Sequence, residues 1–261
     1  MISPSSKNSF PRFAVETGIG AVGEPDSPGY LGVDGCRGGW LAVRWVRGRS
    51  VELAVLQSLR HLRPWLGDRP TAGLWIDMPI GLPDGSHGWV RGCDGEARRF
   101  LGKRGSSIFP APIRSILAED DYHSANAKQR RLAGKGLSCQ TWNLVPKICE
   151  LDQWIEQGAD SLCPRESHPE VLFKLLGGKD LESKVTDLGV GQRKEVLRRH
   201  SGGLLFESRV PGISRSLEVD YLDASVLAIG AALADDGLVG CFGGELDLCR
   251  RRMEIVYPLL G

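Results

Sequence analysis

Tyr30-Leu-Gly-Val-Asp34, Gly39-Trp-Leu-Ala-Val-Arg-Trp-Val46, Val51-Glu-Leu-Ala-Val-Leu56 and Ala72-Gly-Leu-Trp-Ile-Asp77 decide how this chain folds. The first two runs are rich in β-branched and aromatic residues and are joined by a glycine-rich turn, which reads as a hairpin. The third completes an antiparallel meander. A short helix over 58–66 then leads to the fourth run. That run is almost continuously apolar, as a strand covered on both faces must be, and it ends in an acid before the turn Pro79-Ile-Gly81-Leu-Pro83.

Beyond this core the pattern changes. From 84 to about 160 helical stretches alternate with Gly and Pro breaks, and Arg91, Arg98, Arg99, Lys103, Arg104 and Arg114 are set against Asp94 and Glu96. Glu166-Ser-His-Pro-Glu170 reads as a fifth extended element. Helices are expected over 171–176, 184–200 and 220–235, and Met253-Glu-Ile-Val-Tyr257 as a closing edge strand. Strands first, then strands alternating with helices, predict an α/β protein: a mixed five-stranded sheet flanked by helices, with a helical insertion after strand four. Residues 29–261 would form a single domain with its insertion at about 84–160. Residues 1–28, a mixture of Ser, Pro, Gly and isolated charges, would form a flexible N-terminal extension.

Composition narrows the function classes. The 261 residues are 41% hydrophobic and 25% charged, and 33 basic residues against 32 acidic ones leave a net charge of +1. That balance excludes a chain whose whole surface acts as a polycation toward nucleic acid. The longest apolar runs, such as 224–234, fall well short of the roughly 20 residues a bilayer span requires, so no membrane partner is expected. Seven scattered cysteines without a C-x-x-C pair predict reduced thiols rather than structural zinc, and with them a cytoplasmic location. Residues 1–28 lack the apolar core of a secretory signal, although Lys7 and Arg12 among serines leave an organelle-targeting alternative. Gly18-Ile-Gly20-Ala-Val-Gly23 matches a dinucleotide fingerprint by letter. Glu24-Pro-Asp-Ser-Pro-Gly29 follows at once and breaks any helix, so a loop is expected there.

The residues with chemical promise are acids at the ends of apolar elements. Asp34 closes the first strand, Asp77 closes the fourth, and Asp220 with Asp223 opens the late helix. Strand ends hold side chains rigidly at a sheet rim, and acids three apart share a helix face, so the four can converge to hold divalent cations for attack on a phosphodiester. Each has an ordinary reading as well: a hairpin Asp-Gly, a carboxylate bonding the Pro79 turn, an N-cap with an acid in the first turn. Their joint placement favours the site. Glu166, His168 and Glu170 alternate, and Pro169 biases His168 toward extended backbone, so the three would share a side and could offer a ligand or base. Gly177-Gly-Lys-Asp180 lacks the spacing and hydroxyl of a Walker A loop.

Several stretches together resemble the domain of unknown function 429 family, commonly labelled predicted RNase H-like nucleases. They are Gly32-Val-Asp-Gly-Cys-Arg-Gly-Gly-Trp40, Ile76-Asp-Met-Pro-Ile-Gly-Leu82, Arg91-Gly-Cys-Asp94 and Ser106-Ser-Ile-Phe-Pro-Ala-Pro112 with Arg114. Lys147-Ile-Cys-Glu-Leu-Asp152, His168-Pro-Glu170, Lys184 with Thr186 and Gly189, and Asp220-Tyr-Leu-Asp-Ala224 follow in order. The resemblance implies an RNase H-like fold. It is also similar to resolvases of that superfamily, whose acids on the first strand, fourth strand and last helix bind Mg²⁺ or Mn²⁺.

Carried over, those roles fall on Asp34 as the bridge between two ions, on Asp77 and Asp223 as holders of one each, and on Asp220 or Glu170 as assistants to water. Arg37, Arg98, Arg104, Arg114, Lys147, His168 and Lys184 would contact substrate. The expected activity is metal-dependent cleavage of DNA or RNA, branched DNA included. Two alternatives stand beside it: a nucleotide-binding or phosphotransfer protein using the turn 35–39, and a catalytically silent nucleic-acid-binding module. The resolvase likeness leaves room for a homodimer.

Overall fold

The computed structural model describes residues 12–15, 27–158, 162–202 and 215–260. The meander forms as expected. Strands β2 (Gly29–Cys36), β3 (Gly39–Val46) and β4 (Ser50–Leu56) pair antiparallel in sequence order. Strand β5 (Thr71–Asp77) lies parallel to β2, and β6 (Pro164–Glu166) parallel to β5. A further strand, β1 (Arg12–Val15), pairs antiparallel with β4, so the sheet has six strands in the order β1-β4-β3-β2-β5-β6. This corrects the picture of 1–28 as extension alone. The outer edge of β4 presents unpaired backbone groups, and even a short run can satisfy them. The glycine-rich stretch 18–23 lies outside the described residues.

Each sheet face carries its own core. On one, α5 (Pro169–Gly177), α6 (Asp187–Ser201) and α7 (Arg215–Asp236) pack around Leu41, Val43, Leu53, Trp75, Phe173 and Leu227. On the other, α1 (Leu62–Leu66) and α4 (Cys139–Glu156) cover Leu31, Val33, Trp40, Leu74 and Ile76. Alternate residues of β2 thus face different cores, which is why that strand is apolar almost throughout. Helix α7 is apolar nearly all round, with Leu222, Ala224, Val226, Leu227, Ala228 and Ile229 fully buried, as a helix enclosed by neighbours must be.

The insertion between β5 and β6 adds α2 (Gly92–Leu101) and α3 (Tyr122–Ala133) before α4. Two readings needed correction. The segment 166–170 is strand only through Glu166: His168 keeps the extended backbone expected before a proline and caps α5, while Pro169 and Glu170 already belong to the helix, Pro169 in its first turn where the missing N–H is harmless. The closing strand, β8 (Arg252–Leu259), leaves the main sheet and pairs antiparallel with β7 (Leu238–Leu246) in a separate ribbon. Met253 and Ile255 of that ribbon pack on Cys93, Ala97 and Leu101 of α2. All seven cysteines are free thiols. Among the described residues no helix is long and apolar enough to cross a membrane.

Candidate functional site

Asp34 and Asp77 face each other in register at the same ends of the parallel pair β2 and β5. Helix α7 brings in the third acid because Gly32 lets it approach: a Cβ added at Gly32 would lie 1.8 Å from the Ala224 carbonyl oxygen. Only a residue without a side chain admits the helix backbone that close to the strand. Asp223, one residue before Ala224, is buried, and its side chain faces the same cleft as Asp34 and Asp77. Asp220 lies one turn earlier on the same helix. It is inside α7 rather than at its start, since the helix begins at Arg215, so the expected capping position is not observed.

The cleft has a volume of about 280 Å³. It is lined by the acids Asp34, Asp77, Asp94, Glu166, Glu170 and Asp223, by Arg91, His168 and Lys184, and by Ser107, Ile108, Phe109 and Leu144 of the insertion. Burial pushes the Asp34 carboxyl well above the usual carboxylate range, and the charges of Asp77 and Asp223 push it further. Asp77 and Asp223 are raised by burial as well, against the lowering effects of His168 on the first and Lys184 on the second. Asp220 is pushed up to about 6 by burial and then by Asp223.

Lys184 answers this concentration of negative charge. Its ammonium donates to Asp223 Oδ2 at 2.7 Å. Burial opposes its charge, yet Asp223, with Asp34 and Asp77 behind it, holds it above the ordinary lysine range. The other Asp223 oxygen, Oδ1, is buried and has no hydrogen-bond partner. In kind, the donors suit a hard divalent cation, for which oxygen ligands are the rule. In placement they are spread: among the described residues no three His, Cys, Asp or Glu side chains are grouped to hold a metal ion as they stand. Two cations line the cleft: Arg91, shared by Asp94 and Glu166, and Lys184, paired with Asp223.

The remaining expected residues divide sharply. Glu170 accepts from Arg193 at 2.7 Å and from Arg104 at 3.3 Å. His168 lines the cleft and its Nδ1 accepts from the Glu170 N–H at 3.2 Å. Arg37 is exposed in the two-residue turn between β2 and β3. Three cations expected to meet substrate are committed within the protein. Arg98 donates twice to the Ile108 carbonyl, Arg114 pairs with Asp152 and Asp247, and Lys147 donates to the Gly39 carbonyl while lying over the Trp40 ring.

Two residues have roles that the sequence reading did not give them. Arg193, wholly buried, anchors Glu170 and also donates to the carbonyls of Glu182 and Gly189. Nothing in its charged surroundings within α6 marks it. Arg91, also buried, binds Asp94 at 2.7 Å and Glu166, joining α2 to β6 in the lining of the cleft. Burial pushes Glu166 up to about 7 despite Arg91 beside it. Arg91-Gly-Cys-Asp94 is among the stretches that carry the family resemblance, and the three-residue spacing within it is the local signal for this pair.

Neither a curated protein nor a solved structure matches the chain. A family model does, the one described as protein of unknown function (DUF429), and its match runs over residues 32–247. That span holds every acid of the cleft and its lysine, and the chain belongs to the DUF429 family.

Proposed function

We propose that the cleft hydrolyses phosphodiester bonds of DNA or RNA with Mg²⁺ or Mn²⁺ held by Asp34, Asp77 and Asp223. One observation carries the reading: two acids in register at neighbouring strand ends meet a buried helix acid that has an oxygen without a partner. A bound divalent ion supplies Lewis acidity and a more acidic attacking water. The chain's own groups do the rest. Asp34 and Asp77 sit on rigid strand ends and keep their spacing through the reaction. Glu170, fixed by Arg193, accepts a hydrogen bond from water and orients it. Asp220, raised to about 6, exchanges a proton near neutral pH. His168 accepts at Nδ1 from the Glu170 N–H, which leaves Nε2 as the ring nitrogen that can donate to a phosphate oxygen.

The test needs no substrate. Calorimetric titration of Mn²⁺ into the wild type, Asp34→Asn and Asp77→Asn should show saturable binding in the first and its loss in both variants. Equal heats across the three at millimolar metal would sink the metal site. Branched DNA, RNA and nucleotides are then screened for cleavage.

A nucleotide as substrate is the second reading, because Arg98, Arg114 and Lys147 are tied inside the protein rather than presented to a polymer. Thermal stabilisation by a nucleotide without polymer cleavage would favour it. DNA binding that survives both EDTA and Asp34→Asn would favour a silent module. Free cysteines support a reducing, cytoplasmic setting.

A further inference from the structure

Resting on the metal-dependent reading above, we propose that the Lys184 ammonium is a built-in second cation, so that the cleft takes one divalent ion rather than a pair. The geometry starts from the 2.7 Å contact between Lys184 Nζ and Asp223 Oδ2. Asp223 is therefore half committed: one oxygen to an ammonium, the other buried without a partner and available. Asp34 and Asp77 accept no comparable bond from Lys184.

Charge balance points the same way. The three acids bring three negative charges, Lys184 cancels one, and the two left over equal those of one divalent ion. A pair of such ions beside the lysine would leave a low-dielectric cleft with uncompensated positive charge. The facing charged groups do not alter this balance. Glu170 on α5 meets Arg193 and Arg104, and Glu166 and Asp94 share Arg91, so these three acids and three arginines cancel, while Asp220 on α7 is only partly buried.

Lys184 projects from a fastened stretch of backbone, with its side chain 41% exposed. The backbone on either side of it is fastened to the start of α6. Thr186 Oγ1 donates to the Ser183 carbonyl at 2.8 Å and accepts from the Gly189 N–H at 3.1 Å. Glu182 is gripped by Gln192 at its N–H and by Arg193 at its carbonyl. Gly189 lies so close that a Cβ there would stand 2.0 Å from the Ser183 oxygen. A lysine that merely met incoming phosphates would need no such fastening. A fixed positive charge beside a carboxylate pair does, because its electrostatic value depends on position.

The experiment is a count. Mn²⁺ is titrated calorimetrically into the full chain as wild type, Lys184→Met and Lys184→Arg, and the electron paramagnetic resonance spectrum of each saturated form is recorded. The expected result is one ion per chain in the wild type and in Lys184→Arg, with the spectrum of isolated Mn²⁺. Lys184→Met should bind a second ion and show the broadened spectrum of a coupled pair. Two ions in the wild type, or one ion in a folded Lys184→Met, overturns the inference and leaves the phosphodiesterase reading intact. No saturable binding in any form overturns both. Circular dichroism verifies that Lys184→Met is folded. Should it fail to fold, the wild-type and Lys184→Arg counts decide, two ions in either one being fatal.

Discussion

Gly32 sits under the Ala224 carbonyl, and a methyl there would come within 1.8 Å of that oxygen. The clash is with backbone, so relief requires moving all of α7 away from β2, and Asp223 with it. Gly32→Ala should cost about 3 kcal/mol, at the high end of overpacking, and lower the melting temperature by roughly 6–12 °C. It should also weaken Mn²⁺ binding in the fraction that stays folded; a thermal melt close to wild type would refute this packing argument. At Asp220 the sign runs through the proton. Its carboxyl rises from the ordinary 3.8 to about 6 on folding, so the folded state holds the proton more tightly and deprotonation works against it. Stability from this group is fully present at pH 3.8 and below, and is lost as pH climbs toward 6. Asp220→Asn should therefore raise the melting temperature by a few degrees above pH 6 and leave it unchanged near pH 3.8, as melts across that range will show.

Helices α5 and α6 are joined by a buried ion pair. Arg193 is wholly buried and Glu170 nearly so. Breaking such a pair strands a charge in the interior, so Arg193→Ala should cost about 3 kcal/mol in urea unfolding. Adding Glu170→Gln to that variant should recover most of the loss. Failure of the double variant to recover would mean that Arg193 acts mainly through the Glu182 and Gly189 carbonyls. This contact also illustrates what element-level patterns convey. The first four strands are legible from their apolar runs, since β2, β3, β4 and β5 begin and end within a residue or two of the expected limits. His168-Pro169 carries two messages at once, extended backbone before the proline and helix after it, and only the first is obvious locally. Strand β7 was missed because Gly240, Gly243 and Gly244 dilute its apolar pattern, while its partner β8 supplies the pairing.

For the molecule as a whole, near-neutral charge and internally committed cations limit its reach toward nucleic acid. Binding to random duplex DNA, followed by fluorescence anisotropy, should be weak at 150 mM salt and show a shallow salt dependence, because few phosphates are neutralised. A steep slope would point to basic surface that the cleft does not explain. Divalent metal should stabilise the whole fold, by about 2.7 kcal/mol at a Mn²⁺ concentration 100 times its dissociation constant, and Asp34→Asn should abolish the shift in melting temperature.

Apolar periodicity and chain punctuation are local, and they were enough for the strand order of the meander, the burial of the fourth strand and the acids that end these elements; the parallel direction of that strand is seen in its pairing with β2. The sequence by itself also determined which residues are cationic, but not which of those cations are free. Arg98, Arg114 and Lys147 carry the same charge as Lys184 in one dimension. Only tertiary packing spends the first three on a carbonyl, two carboxylates and another carbonyl, and aims the fourth at Asp223. The physical reason is that a charge takes its role from its nearest partners and from the water it has lost. Both are set by residues 10 to 133 positions away along the chain.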